Sequence, residues 1–291
     1  MASKAKTVRR PGLLAWGEIF PWQRDNDFIL TGYRCASYSY SKTLWSIFAV
    51  HNETVNIWSH LLGSIFFASV LYQYLKLLTD SKAIVIQDFI VLSVYNLSVT
   101  VCFILSTVFH TLCHHSQEIC KSSNQLDHLG IVLVLWGAGI SGTHFAFYCD
   151  EFFRNSYFGL LSSIALSCGI FTLRPEFKKP AYRTARFLIY CFFGASLFVP
   201  IVHGLSRFGR VEMGLWSFLG LALINFTGAV VYVARVPERW FPGTFDLLGQ
   251  SHNWMHVLVV MGALVRLRGL LEVIARWQLH DEQYGFCLST S

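Results

Sequence analysis

Seven stretches of this chain, 56–77, 89–112, 126–148, 156–173, 185–203, 215–234 and 251–273, are apolar enough and long enough to cross a lipid bilayer. A hydrocarbon core of ~30 Å is spanned by ~20 helical residues. No water solvates a backbone at that depth, so each stretch must satisfy its own amides. A helix does so, and the ten-residue alternation of a membrane barrel is absent. The expected fold class is therefore all-α, a single seven-transmembrane helix bundle with short loops. Composition agrees, since 54% of the 291 residues are hydrophobic and 14% charged, too apolar for an ordinary soluble domain.

The basic residues set the orientation. If the N-terminal segment and the loops after the second, fourth and sixth runs share one face, that face holds fifteen of the 23 Lys and Arg, and the opposite face holds eight. The excess places the first face, and the N-terminus, in the cytosol, and the C-terminus outside or in a lumen. The net charge of +6 is then a topology signal and calls for no nucleic acid. The opening "MASKAKTVRR" is basic but runs into a mixed stretch, so it does not read as a signal peptide. Three regions follow: a cytosolic N-terminal segment over 1–53, the membrane domain over 54–275, and a short outer tail over 276–291. Within the first, 39–53 places Leu44, Trp45, Phe48 and Ala49 on one face, as an amphipathic helix along the leaflet would. Pro237, Pro242 and Gly243 make the connection before the last run a tight turn. Of eight cysteines, Cys102, Cys168 and Cys191 lie inside runs and read as packing residues. Cys149 and Cys287 fall on the outer side and are the pair that a disulfide would join. The sequon at Asn52 is cytosolic and expected to stay unmodified.

Polar side chains within a bilayer are costly and mark function by default. Here they occur in four places: Glu53, Asn56 and His60 at the start of the first run, Ser106 and His110 at the end of the second, Asp127 and His128 at the start of the third, and His252 and His256 at the start of the last. Starts of odd runs and ends of even runs share the cytosolic face, so these groups converge at one depth. His252 and His256, four residues apart, point the same way from a helix, as do Ser106 and His110. Three imidazoles with a carboxylate opposite suit Zn²⁺, with the fourth tetrahedral position left to water, as in catalytic sites. Asp127 then holds that water or acts as general base, and Ser106 hydrogen-bonds the water or a ligand oxyanion. Taken alone, an H-x-x-x-H pair reads more often as two buried, hydrogen-bonded histidines. A rival pair also exists in His110 and His114, ranked lower because His114 and His115 read as solvated residues past the span. His51, His128, His144, His203 and His280 read as loop or interface residues. Arg266 and Arg268, in the outer half of the last run, read as snorkelling to the outer face rather than meeting an anionic head group.

The motifs "HNETVNIWSHLLG", "STVFHTL", "LDHLGI", "VPERWFPGTFD" and "GQSHNWMH", in this order over about 28–264, resemble the progestin and adipoQ receptor family, which includes adiponectin receptors and haemolysin-III-like proteins. The resemblance implies a seven-helix bundle with a cytosolic N-terminus, zinc held by His110, His252 and His256, and a lipid-sized cavity beneath it. It also implies hydrolysis of ceramide to a fatty acid and a sphingoid base, assisted by Asp127 and Ser106. Two departures stand out: His128 where an aromatic follows the aspartate, and Asn253 where Gln follows the first histidine of the last motif. The reading that results is a zinc-containing membrane protein of the adiponectin-receptor type, acting as an intramembrane lipid amide hydrolase linked to lipid and zinc homeostasis. The alternative is a receptor or scaffold with structural zinc and no turnover. The expected partners are a ceramide or fatty acid and the membrane itself, in the plasma membrane or the endoplasmic reticulum and Golgi.

Overall fold

The computed structural model describes residues 12–81, 85–178, 182–208 and 214–284. Helices dominate: α1 (Tyr40–Trp45), α2 (Thr54–Ser81), α3 (Ile86–Leu112), α4 (Gln117–Ala146), α5 (Glu151–Leu173), α6 (Arg183–Ser196), α7 (Phe198–Phe208), α8 (Leu215–Ala234) and α9 (Ser251–Tyr284). Among the described residues there is no strand beyond one antiparallel bridge between Leu14 and Tyr33. The lysines and arginines at 4, 6, 9, 10, 82, 179 and 210, together with Cys287, lie outside the described residues.

Six helical segments are long and apolar enough to cross a membrane: Thr54–Thr79, Ile86–Leu112, Gln117–Ala146, Glu151–Leu173, Thr184–Phe208 and Leu215–Ala234. The chain is thus an integral, multi-pass membrane protein. Its fifth segment is two helices, because Pro200 has no amide proton to offer the carbonyl one turn back and the helix breaks at Leu197. The seventh run is helical throughout as part of α9 (Ser251–Tyr284). In α4, 67% of the apolar window is buried, against 17% in α2, α5 and α8. The last three therefore turn most of their apolar surface outward, as lipid-facing helices do.

The chain folds as two compact units. The first comprises the described residues within Met1–Gly63, Phe103–Asp127 and Leu223–Gly262. Its N-terminal segment is folded, with the Asp246 carboxylate accepting from the Leu30 amide at 3.0 Å, the Thr31 amide at 2.8 Å and the Thr31 hydroxyl at 2.7 Å. Gly32 makes this approach feasible, since its φ is +89° and a Cβ there would stand 2.7 Å from Leu247 Cδ2. Ser39 caps α1, which is shorter than the expected 39–53: a 3₁₀ turn over Ser46–Phe48 follows it and Ala49 is extended. Leu44, Trp45 and Phe48 are nonetheless exposed together. Glu238, within the turn before α9, accepts from the Ser251 amide at 2.7 Å and from the Ser251 hydroxyl, and so caps that helix.

The second unit comprises the described residues within Ser64–Cys102, His128–Ala222 and Ala263–Ser291. Val132, Phe147, Leu161, Cys168, Phe193, Leu197, Ile201 and Phe218 form its core. Close helix approach relies on glycine: a Cβ on Gly269 would lie 2.0 Å from the Ser217 hydroxyl. Of the cysteines read as packing residues, Cys102 and Cys168 are buried, but Cys191 is exposed on α6, on a lipid-facing surface where packing does not require it. Cys149 is disulfide-bonded. Two polar residues depart from expectation here. Arg266 does not snorkel; it is fully buried, whereas Arg268 is exposed and pairs with Glu272 at 2.8 Å. His144 is an interior residue, 2.8 Å from the buried Asp88 carboxylate, which also accepts from Tyr148 at 3.2 Å.

Candidate metal centre

His110 stands at the end of α3, and His252 and His256 on the first two turns of α9, all within the first unit. Each offers a ring nitrogen, and these three atoms lie within 4.8 Å of one another. Ring centroids are 5.0 Å apart for His110 and His252, 4.6 Å for His110 and His256, and 4.9 Å for His252 and His256. The i, i+4 spacing puts the α9 pair on one face, and α3 delivers the third imidazole.

Hydrogen bonds decide which nitrogens are free. His110 Nδ1 is 2.7 Å from Glu53 Oε2. A carboxylate only accepts, so Nδ1 carries the proton and Nε2 holds a bare lone pair. That Nε2 is buried with no hydrogen-bond partner. His256 Nδ1 is 3.1 Å from His60 Nε2, and its own Nε2 is likewise buried and unpartnered. Buried polar atoms are rarely left so. Two buried, unpartnered ring nitrogens beside a third imidazole fit a metal ion held by nitrogen, and the donor set suits zinc.

The supporting residues form a chain. Asn56 donates to Glu53 at 2.7 Å, Asn253 donates to Asn56 Oδ1 at 2.8 Å, and the Gly249 amide donates to Asn253 at 3.0 Å. The group at 253 thus has a defined task, holding the Asn56 amide toward Glu53. His60 lies against Phe103 at 4.5 Å. Arg34, buried, donates to the carbonyls of His110 and Thr111 and to Ser46 Oγ, so a cation meets the negative end of α3. Burial is the main influence on that guanidinium, lowering its pKa, with Cys113 and Glu53 opposing.

Ser106 sits one turn before His110, its hydroxyl buried and unpartnered. Asp127, on α4, is half-buried and its charge is felt at His252, but among the described residues it makes no hydrogen bond to the histidines. The rival pair is not assembled: His114 stays out of the cluster. Neither it nor His115 is solvated, however. Both are buried, because Ser37 and Tyr38 bond over their carbonyls at 3.1 Å and Tyr40 stacks on His115 at 4.3 Å. Burial, then Arg34, lowers the His114 pKa to about 3. His51 is also fully buried, bonded to the Ser46 carbonyl, and burial lowers it to about 3. Sequence reasoning missed Tyr232, whose ring lies 4.8 Å from His252. Nothing in the spacing within α8 distinguishes it from other aromatics.

A multi-pass helical membrane protein with a largely buried tri-histidine cluster drawn from the ends of two helices is a narrow class. The chain belongs to the haemolysin-III related family, whose model matches residues 48–267, and so with the adiponectin and progestin–adipoQ receptors. It is 37% identical over 275 residues to the ADIPOR-like receptor IZH2 of Saccharomyces cerevisiae, covering 92% of this chain and 86% of that one. It is 36% identical over 267 residues to the adiponectin receptor protein of Drosophila melanogaster, covering 90% of this chain but 59% of that longer protein. To heptahelical transmembrane protein 3 of Arabidopsis thaliana it is 32% identical over 310 residues, covering 93% and 89%.

Proposed function

We propose that this protein is a zinc-dependent intramembrane hydrolase of lipid amides of the ceramide type. The observation that carries the reading is the pair of orphaned Nε2 atoms on His110 and His256, converging with His252. These three residues would hold the ion. Zinc held there would supply Lewis-acid chemistry that lowers the pKa of water to about 7. Glu53 keeps the proton on His110 Nδ1, and metal binding through His256 Nε2 would put the His256 proton on Nδ1, facing His60 Nε2 at 3.1 Å. The Ser106 hydroxyl donates to the carbonyl oxygen of the scissile amide as it gains charge. Asp127 takes the proton from the attacking water and returns it to the leaving amine. The apolar helix surfaces around the site accommodate the acyl chain.

A topology of seven spans, with the N-terminus cytosolic, belongs to this proposal. Support comes from the excess of Lys and Arg on one set of loops, from the length of α9, and from the name of the Arabidopsis relative, heptahelical. The disulfide at Cys149 favours an oxidising compartment at the other face. This fits the plasma membrane or the endoplasmic reticulum and Golgi.

The second reading is a receptor with structural zinc, favoured by the names of the yeast and fly relatives and, among the described residues, by the absence of a hydrogen bond between Asp127 and the histidines. Purified protein reconstituted with labelled ceramide separates the two. Zinc-dependent fatty-acid release that falls at least about a hundredfold in Asp127→Ala is expected. Inert wild type that retains its zinc would favour the receptor.

A further inference from the structure

Arg266 is the one fully buried arginine in the second unit among the described residues. Its guanidinium reaches the N-terminal end of α8: Nη1 donates to the Gly214 carbonyl at 3.3 Å and to Ser217 Oγ at 3.1 Å, and Nη2 donates to Ser141 Oγ at 3.2 Å. Nε is buried with no partner. No described carboxylate pairs with it. Among the described acids of this unit, Asp88 pairs with His144 and Tyr148, Glu151 with Arg154, Asp150 with Arg207, and Glu272 with Arg268.

This placement is electrostatically inverted. The first turn of a helix carries partial positive charge and unpartnered amides, which attract anions. A buried cation there, with neutral acceptors only, pays for desolvation twice over and lacks a counter-ion. The hydroxyls that touch it do not need it, because Ser217 already donates to Gly214 O at 2.8 Å and Ser141 to Ala138 O at 3.0 Å. A guanidinium whose Nε–H has no partner, at the start of a helix, is matched by a carboxylate or phosphate. Phe218 lies under the guanidinium at 5.4 Å, and Trp216 and Leu219 are exposed on the first turns of the same helix. Such a surface suits an acyl chain.

We infer that Arg266 and the N-terminus of α8 form a binding site for the acidic head, carboxylate or phosphate, of a lipid. This site stands apart from the histidine centre and does not rest on it. The test is thermal unfolding of delipidated full-length protein with oleate, oleyl alcohol, phosphatidic acid or phosphatidylcholine added. Oleate or phosphatidic acid should raise the Tm of wild type, Arg268→Met and His252→Ala by at least about 2 °C, and the neutral lipids should not. The anion giving the larger shift identifies the head group, and survival in His252→Ala separates this site from the metal centre. Arg266→Met should lose the shift and, without lipid, unfold no lower than wild type. Retention of the shift in Arg266→Met would overturn the inference. So would wild type inert to both anions, including the case in which Glu212→Gln, outside the described residues, lowers stability and so reveals Glu212 as the counter-ion. If Arg266→Met does not fold, native mass spectrometry of wild type decides: a bound acidic lipid displaced by excess oleate supports the site, and its absence overturns it.

Discussion

Glu53 is the residue on which the histidine geometry turns. One carboxylate oxygen lies 2.7 Å from His110 Nδ1 and also accepts from Asn56 at 2.7 Å, so its position fixes a tautomer that a neutral amide would leave undetermined. Glu53→Gln should lower zinc affinity about 10- to 100-fold with the fold retained, measured by competition with a chromogenic chelator; unchanged affinity would mean the contact is incidental. This residue shows what the sequence made legible. The histidines stood out because imidazoles inside apolar runs are costly, and Glu53, Asn56 and His60 because they fall at the same depth. Their roles did not, since the partner of Glu53 lies 57 residues away and that of His60 lies 196 away. Arg266 is illegible for a similar reason. A flexible arginine in the outer half of a helix can snorkel or turn inward, and only the positions of Ser141, Ser217 and Gly214 decide.

At the scale of elements, the start of α9 matters most, because it carries two of the three imidazoles. Its first amide, that of Ser251, is held by Glu238, which also accepts from Asn26 at 2.9 Å. Glu238→Ala should therefore cost about 1–3 kcal/mol, read from chemical unfolding, because it leaves a buried helix amide and the Ser251 hydroxyl without a partner. A near-neutral effect would show that this cap is dispensable. The helices themselves were well foreshadowed, since apolar runs of membrane length leave little other choice. Their irregularities were less so. The run 185–203 reads as one helix, and its division into two at Leu197 depends on how Pro200 and the packing around it accommodate a missing amide. The length of the helix before α2 was overestimated because its apolar spacing continues past the point where the backbone becomes extended at Ala49.

For the whole molecule, the testable property is orientation. Protease or antibody should reach tags on the two termini from opposite sides of a sealed membrane, as seven spans require; access from the same side would contradict that count. Candidate metal-binding histidines that arrive from helix ends far apart in sequence depend on the correct orientation of every intervening span. The most direct check of the central claim is zinc-edge X-ray absorption on purified wild type, alongside the zinc content of His252→Ala and His114→Ala. The account predicts about one zinc per chain, with nitrogen or oxygen neighbours at ~2.0–2.1 Å, most of it lost in His252→Ala and kept in His114→Ala. A sulfur shell near ~2.3 Å, or zinc lost in His114→Ala and kept in His252→Ala, would contradict it.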